Sequence, residues 1–297
     1  MAAAGKDFVG LVPPKAQRPP SAFFGPAGRK NILRDQFSIT TWLALGAAAQ
    51  AGLFLLAGRL ALAPAVAILL YRTFTAYAMS VGWLRNTYMD GVLPNKFTAQ
   101  FPDAAGRYGA TPAASDVVVF LIGARCNHPL GLLAPGFQQL GGYFMQMVQD
   151  VEAHSDAEAF GFLGMTSWLN SNGRETGSEL MEVGYFRSVE GLHKFAHSEY
   201  HRAGWDWWNK HVAQYPHLSI FHETYHVPKG HWENIYVNSH LGGINSTTHR
   251  YVDEQTGEEM WASPVVDASR GLLRTSAGRM SRSKADEHDQ YGDNPYQ

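Results

Sequence analysis

The first sustained hydrophobic pattern is an uncharged stretch of 22 residues, FSITTWLALGAAAQAGLFLLAG, which begins at Phe37. Its length is close to the roughly 20 residues with which a helix crosses a bilayer. After Arg59 a second apolar stretch follows, and it is interrupted by Pro64 and Arg72. We predict that residues 37–84 form a hydrophobic helical hairpin that associates with a membrane. The alternative is a pair of buried helices, packed on the rest of the domain or on a partner.

Basic residues flank this hydrophobic segment. Arg29, Lys30 and Arg34 precede it, and Arg85 follows it. Because lysine and arginine are enriched on the cytoplasmic side of membrane helices, we expect both ends of the hairpin to face the cytosol. The domain that follows would then face the cytosol too, for example at the endoplasmic reticulum.

From Ser115 onward the hydrophobic periods are those of an α+β domain. They predict strands at 116–126, 159–170, 179–186 and 217–227, and helices at 131–153 and 189–214. The order β-α-β-β-α-β is that of the ferredoxin-like unit. Its helices cover one face of the sheet, and a second copy of the same sheet is the simplest cover for the other face. We therefore predict a ferredoxin-like α+β fold that forms a dimeric α/β barrel.

The remaining parts of the chain are less regular. Residues 1–36 are rich in Pro, Gly and basic residues, which favours a flexible arm and does not resemble a secretory signal peptide. Residues 85–114 are expected to be a linker to the domain at 115–245. Residues 246–297 are a C-terminal extension, whose polar end is expected to be disordered.

Composition and charge narrow the classes of partner and cofactor. The 297 residues carry a formal net charge of −2 without a basic stripe, which gives no electrostatic basis for binding nucleic acid. The single cysteine, Cys126, fits a reducing compartment and ends an apolar stretch, so we expect it to be buried. The sequence has no P-loop and no Gly-rich dinucleotide loop after a strand, so flavin, nicotinamide and ATP binding are unsupported.

The letters HETYH at residues 222–226 match the H-E-x-x-H signature of zinc peptidases. That motif needs a helix, on which both histidines point to one metal. Here it lies in a short segment between two prolines, rich in β-branched and aromatic residues, which predicts a strand instead. A strand places His222 on one face and Glu223 and Tyr225 on the other, and the pattern leaves open which face lines a pocket.

Four stretches of the domain resemble a known family. They are VVVFLIGARCNHP, GFLGMTSWL, VGYFRSVEGLHKFAHSEYHRAGW and IFHETYHVPKGHWENIYVN. Together they resemble the fungal and bacterial family labelled monooxygenase-like, in the dimeric α/β-barrel superfamily. The resemblance covers residues 115–245 and implies a ferredoxin-like unit that dimerises sheet to sheet. Similar folds serve cofactor-free monooxygenases, haem enzymes, isomerases and cyclases, so the fold does not select the reaction.

Four residues are the expected catalytic groups: His222, Glu223, Arg125 and Arg187. Only one of His222 and Glu223 can face the pocket, since neighbours on a strand alternate. An imidazole suits proton transfer near neutral pH, whereas a carboxyl group needs an apolar site before it can act as an acid. The two arginines would stabilise an anionic intermediate, or else form structural ion pairs with Glu182, Glu179 or Asp116.

A larger set of aromatic and polar residues is expected to bind the substrate: Trp168, Tyr185, His197, His201, Trp205, Tyr225, Tyr236 and Asn238. Trp168 and Tyr185 lie near the ends of adjacent strands, where they would line a pocket or simply pack in the core. His197 and His201 share one helix face, which would also suit a haem ligand. No carboxylate completes an evident metal triad, so no metal site is expected.

These features predict a tailoring enzyme of secondary metabolism that acts on an apolar terpenoid or polyketide. The leading hypothesis is a monooxygenase-like oxidoreductase without a cofactor. The alternatives are a non-redox cyclase, isomerase or dehydratase, which in one form uses haem, and a non-catalytic lipophile-binding protein. The expected partners are the apolar substrate, a membrane bound through residues 37–84, and a second copy of the chain in a homodimer.

Overall fold

A computed structural model describes residues 7–21, 26–171 and 179–283. The N-terminal elements are helices α1 (Pro26–Asp35), α2 (Ile39–Ala57) and α3 (Ala63–Ser80), followed by strand β1 (Leu93–Ala99). The central elements are β2 (Val117–Cys126), α4 (Phe137–His154), β3 (Phe162–Leu169), β4 (Leu180–Phe186), α5 (Val189–Ala196), α6 (Glu199–His211) and β5 (Leu218–Val227). The last elements are β6 (Tyr236–Ser239), β7 (His249–Val252), β8 (Glu259–Ala262), β9 (Val265–Asp267) and α7 (Ser276–Arg279).

Strands β2 to β5 form one antiparallel sheet in the order β3-β4-β2-β5. With α4 after β2 and the pair α5–α6 after β4, the chain follows the β-α-β-β-α-β order of the ferredoxin-like unit. The predicted α+β fold class is therefore confirmed. The strand that contains HETYH is also confirmed as a strand, β5, so the zinc-peptidase motif has no helix to form on.

The predicted helices differ from the observed ones at two places. Residues 131–133 form a short 3-10 turn, so α4 begins only at Phe137. The single helix expected at 189–214 is broken after α5, because the hydroxyl of Ser198 donates to the carbonyl of Phe195 at 2.7 Å and competes with the helical ladder. The expected N-cap is present, since Ser188 Oγ accepts from the Gly191 backbone N–H at 3.0 Å.

The core lies between the sheet and the helices. Side chains that alternate along the strands point to one face, and there Val118, Phe162 and Phe186 pack against Val148 of α4 and Leu192 of α5. All five are buried. The amphipathic spacing of the helices therefore places both on the same side of the sheet.

A second sheet, in the order β6-β1-β9, adds to the ferredoxin-like unit. Its strand β1 comes from residues 85–114, which differ from the expected linker because Phe97 is fully buried and stacks on Tyr236 at 5.3 Å between ring centroids. The C-terminal extension supplies β7 to β9 and is ordered to residue 283, while the polar end at 284–297 lies outside the described residues.

Part of the N-terminal arm is also bound to the domain. Residues 7–21 form isolated antiparallel bridges at Gly10 and Lys15. The Arg18 guanidinium donates to the carbonyls of Glu152 and Phe162 at 2.9 and 2.8 Å. This differs from the expected flexible arm, because these contacts come from segments more than 130 residues away and leave no local pattern.

The hydrophobic segment is helical from Ile39 to Ser80, with a 3-10 turn between α2 and α3. It is long and apolar enough to cross a membrane, with a mean hydropathy of 2.3, and only 6% of its most apolar window is buried within the protein. Gly58 has a positive φ of 57°, and the Gln50 amide donates to the Ala61 carbonyl at 2.9 Å, so the 3-10 turn bends against the end of α2. The hairpin arrangement of α2 and α3 stays a prediction.

The side chain of Gln36 attaches the start of these helices to the ferredoxin-like unit. The Gln36 amide donates to the carbonyl of Leu130 at 2.9 Å and accepts from the backbone N–H of Leu132 at 2.8 Å. Gly131 has a positive φ of 53°, and a Cβ there would lie 2.5 Å from Gln36 Oε1, so this close approach requires glycine. The hydrophobic segment therefore begins directly beside the loop that leads into α4.

Candidate functional site

A cavity of about 790 Å³ lies between the helix-covered face of the sheet and helices α4, α5 and α6. Its volume falls within the roughly 300–1,000 Å³ that is usual for small-molecule sites. Apolar side chains dominate the wall, among them Phe120, Ile122, Leu140, Phe144, Leu192 and Trp208. Arg29 and Ile32 of α1 close one side of it. We refer to this space as the sheet–helix cavity.

One row of residues across the sheet forms the polar part of the cavity floor. The pairing places Ser167 of β3 beside Glu182 of β4, Glu182 beside Ile122 of β2, and Ile122 beside His222 of β5. Residues paired across antiparallel strands point to the same face. Glu182, Ile122 and His222 therefore face the cavity together.

Glu182 is buried to 1% exposure in these apolar surroundings. The hydroxyl of Ser167 donates to Glu182 Oε2 at 2.7 Å, while Oε1 has no hydrogen-bond partner among the described residues. Burial raises the pKa of Glu182 to about 8, and the bond from Ser167 acts in the opposite direction. At neutral pH this side chain is therefore mostly a neutral carboxylic acid.

Histidines line the cavity opposite and beside Glu182. His222 lies on the edge strand and its ring contacts Phe120 at 5.8 Å between centroids. Burial lowers the pKa of His201 on α6, a backbone hydrogen bond at Ala196 opposes this, and the charges of His197 and His222 lower it further. A neutral His201 can accept a hydrogen bond or bind a metal, but not donate from two nitrogens.

Four of the residues singled out from the sequence meet in the cavity: His222, His197, His201 and Trp205. Glu223 and Tyr225 do not, because the alternation of β5 turns them to the opposite face, where the Tyr225 hydroxyl donates to the Glu223 carboxylate. The question of which face of β5 lines the pocket is thus answered in favour of His222.

The two arginines expected to be catalytic lie outside the cavity. Arg125 points to the opposite sheet face and forms a salt bridge with Glu179 at 2.6 Å, which is one of the structural pairings considered above. The backbone N–H of Arg187 donates to the Gly161 carbonyl at 2.8 Å. The fully buried His249 has a pKa well below its usual value, first because of burial and then because of the charge of Arg187.

Four expected substrate-binding residues are also on the opposite face or beyond it. Tyr185 and Tyr236 pack together near Gly243, and burial raises the pKa of Tyr185 to about 12. Trp168 is 53% exposed at the end of β3. Asn238 Oδ1 accepts from the Asn95 backbone N–H at 2.9 Å, which is a structural bond between β6 and β1.

Glu182 and the α1 residues Arg29 and Ile32 line the cavity but were not among the site residues predicted from the sequence. Glu182 was considered only as a partner for an arginine, although it is the charged residue in the otherwise apolar strand LMEVGYF. Its distance from any basic residue depends on how four strands pair, which the local pattern does not contain. Among the described residues, no group of three or more His, Cys, Asp or Glu side chains is arranged to hold a metal ion.

Comparisons with known proteins agree with the resemblance noted in the sequence. A family described as Monooxygenase af470-like matches residues 117–244. Monooxygenase af470 of Aspergillus fumigatus is 33% identical over 252 residues, which is 84% of this chain and 90% of that protein.

Solved structures are more distant. A conserved protein of unknown function from Bacteroides thetaiotaomicron is 12% identical, with 38% of this chain and 99% of that chain covered and a TM-score of 0.25. Aldoxime dehydratase OxdRE, in complex with butyraldoxime, is 18% identical, with 55% and 40% covered and a TM-score of 0.31. At such scores neither structure informs the chemistry of this chain.

The raised pKa of Glu182 predicts how stability depends on pH. The unfolded chain releases this proton near pH 4.5, whereas the folded protein holds it up to about pH 8. The stabilisation is therefore fully present below the lower value and is lost as pH rises to the higher one. At about 1.4 kcal/mol per pKa unit, the loss is on the order of 4 kcal/mol.

Urea unfolding of the full chain in detergent, at about pH 5 and about pH 9, measures this loss. The Glu182→Gln variant should lack it, while Glu190→Gln, which changes an exposed carboxylate, should keep it. Equal pH dependence in wild type and Glu182→Gln would contradict the burial of an ionisable group at this position.

Proposed function

Because the chain belongs to the Monooxygenase af470-like family, we propose that it is a monooxygenase for an apolar small molecule that binds in the sheet–helix cavity. The observation that supports this most is the cavity of about 790 Å³ with an apolar wall and His222 at its edge. Terpenoid and polyketide skeletons are apolar and of a size that such a cavity holds. We extend the proposal to a tailoring enzyme of secondary metabolism on this ground.

The proposed reaction uses no resident cofactor. His222 removes a proton from an acidic C–H group that is conjugated with a carbonyl group of the substrate. The carbanion transfers an electron to O2, and the two radicals combine to a peroxide anion at that carbon. The anion takes back the proton from His222 and becomes a hydroperoxide. Loss of water then leaves a carbonyl group. A CH2 group and O2 become C=O and H2O, so the substrate itself supplies all the electrons.

Alternatives from other classes use the same cavity. A cyclase, isomerase or dehydratase needs the proton transfer at His222 but consumes no O2. A haem-dependent form would use a neutral imidazole as axial ligand, for which His201 is suited by its lowered pKa. A visible haem band in protein made in a haem-supplied host would favour this form. A lipophile-binding protein would bind apolar ligands without turnover.

Anthrone, an apolar ketone with an acidic CH2 group, tests the proposal on the full-length protein. We expect enzyme-dependent O2 uptake in equal amount to the anthraquinone formed, with one labelled oxygen per product when 18O2 is supplied. His222→Ala should lower turnover by about 100-fold while anthrone still quenches tryptophan fluorescence. His231→Ala, at an exposed histidine outside the cavity lining, is the control. Conversion without O2 uptake would favour the isomerase class, and binding without conversion a lipophile-binding protein.

We also propose that a second copy of the chain covers the exposed part of the sheet face opposite to the helices, beyond the part where Trp232 and Ile244 already pack against Val117. This face exposes Trp168, Phe221 and Tyr225, which are 53%, 36% and 50% exposed. Large aromatic residues are enriched where protein interfaces exclude water. Sheet-to-sheet packing of two copies would bury these side chains and complete the dimeric barrel.

The hydrophobic segment is proposed to insert into a membrane. At 1.5 Å per residue, α2 and α3 are each close to the roughly 30 Å thickness of the hydrocarbon core. Arg29, Lys30 and Arg34 before the segment complement anionic headgroups and favour a cytosolic orientation. The ferredoxin-like unit would then sit on the cytosolic surface with α1 at the interface.

Two sets of variants test these surfaces and serve as each other's control. Leu45→Arg combined with Leu70→Arg, at exposed positions of α2 and α3, should raise the free energy of membrane insertion by about 2.5–3.5 kcal/mol per arginine and abolish flotation with liposomes.

Tyr225→Arg should keep flotation but lower the mass in detergent from dimer to monomer. Unchanged flotation of the double variant, or an unchanged mass for Tyr225→Arg, would refute the corresponding surface.

A further inference from the structure

Glu182 is a buried acid with one hydrogen-bond partner among the described residues, the hydroxyl of Ser167. Within the described part of the chain it is the only carboxylate that lines the cavity, and Oε1 has no hydrogen-bond partner there. Buried polar atoms are nearly always hydrogen-bonded, and an unpaired one costs free energy. An apolar residue in this row would fill the space without that cost. The unpaired oxygen therefore indicates a ligand that completes its hydrogen bonding.

The position of the proton follows from the bond to Ser167. The Ser167 hydroxyl donates to Oε2, so Oε2 is the acceptor of the neutral carboxyl group. The form of the neutral acid that keeps this bond carries its proton on Oε1, the oxygen without a partner among the described residues. The group thus presents an O–H donor to the cavity.

We propose that Glu182 is a catalytic hydrogen-bond donor, whose Oε1–H binds the carbonyl oxygen of the substrate. This rests on the proposed function, because the hydrogen bond strengthens as His222 removes the C–H proton and negative charge develops on that oxygen. Glu182 keeps its proton throughout, and the carbonyl re-forms when the carbanion reacts with O2. The same device stabilises an enolate in enzymes that hold a carboxylic acid neutral in an apolar site.

The spacing of the two groups defines the substrate class. Glu182 and His222 lie on strands that flank β2, so their backbones are about 10 Å apart at roughly 4.8 Å per strand. Both side chains point into the space above Ile122. A ring that carries its oxygen on one side and its acidic C–H on the other fits between them. The cavity therefore fits an enolisable ketone, which has both groups, and not a bare hydrocarbon.

Other ionisable groups share the cavity and must be separated from Glu182 in a pH profile. They are Arg29 on α1, Tyr143 on α4, His193 on α5, His197 after α5, His201 and Arg202 on α6, and His222 on β5. None of them contributes to the shift of the Glu182 pKa, which arises from burial and from Ser167. Substitutions at Glu182 and Ser167 therefore identify the part of the pH profile that comes from ionisation of Glu182.

Exchange of the anthrone CH2 protons in deuterated buffer without O2, followed by NMR, measures the proton-transfer step alone. The wild-type exchange rate should fall as pH rises through about 8, since an ionised Glu182 cannot donate. Glu182→Gln, which still donates but does not titrate in this range, should lose this alkaline limb. Glu182→Leu should exchange about 100-fold more slowly, as for a lost oxyanion donor.

The Ser167→Ala variant tests the direction of the shift. The hydrogen bond from Ser167 lowers the pKa of Glu182, so its loss should move the alkaline fall in exchange rate to higher pH. Glu190→Gln should match wild type, and a cooperative unfolding transition shows that each variant is folded.

Exchange that depends on Glu182 without O2 uptake would keep this inference and reject the monooxygenase. O2 uptake with wild-type rate and profile in Glu182→Leu and Glu182→Gln would reject the inference and keep the monooxygenase. No exchange by wild type on bound anthrone would also overturn it.

Discussion

The burial of one carboxyl group in an apolar space is the constraint on which the site depends. Glu182 is held at the centre of a four-stranded sheet, with one hydrogen bond from Ser167 and no charged partner contributing to its pKa. Ionisation there is opposed by the low dielectric of the surroundings. The same surroundings strengthen any hydrogen bond that the neutral acid makes to a ligand. Stability and chemistry are thus linked through a single proton.

The register of the sheet places this buried acid in one row with His222. Because β4, β2 and β5 are neighbours, Glu182 and His222 face the same cavity from either side of Ile122. The helices supply an apolar roof, and α1 closes one side where the hydrophobic segment begins. The Gln36 bonds to the loop before α4 connect these parts. In the proposed membrane orientation, the cavity would lie close to the membrane surface, where an apolar substrate could enter it.

Local patterns were sufficient to predict the central unit and part of the site. The alternation in β2 and β5 and the spacing in α4 are properties of neighbouring residues, so the fold class and the placement of His222 and Glu223 on opposite faces of β5 could be derived from them. Which of these faces lines the cavity could not, because it depends on where the helices pack. The roles of Glu182 and Arg125 could not, because burial of the first and pairing of the second depend on strands that meet only in three dimensions. The ordered arm at residues 7–21 was missed for the same reason, since bonds such as those of Arg18 reach across the whole domain.

A crystal structure of the protein with anthrone, grown without oxygen, would show whether Glu182 and His222 bind one substrate between them. We expect the tricyclic ring in the sheet–helix cavity, with its carbonyl oxygen about 2.5–3.0 Å from Glu182 Oε1 and its CH2 group facing His222. A ring bound on the opposite sheet face beside Trp168 and Tyr225, or a carbonyl turned away from Glu182, would contradict it.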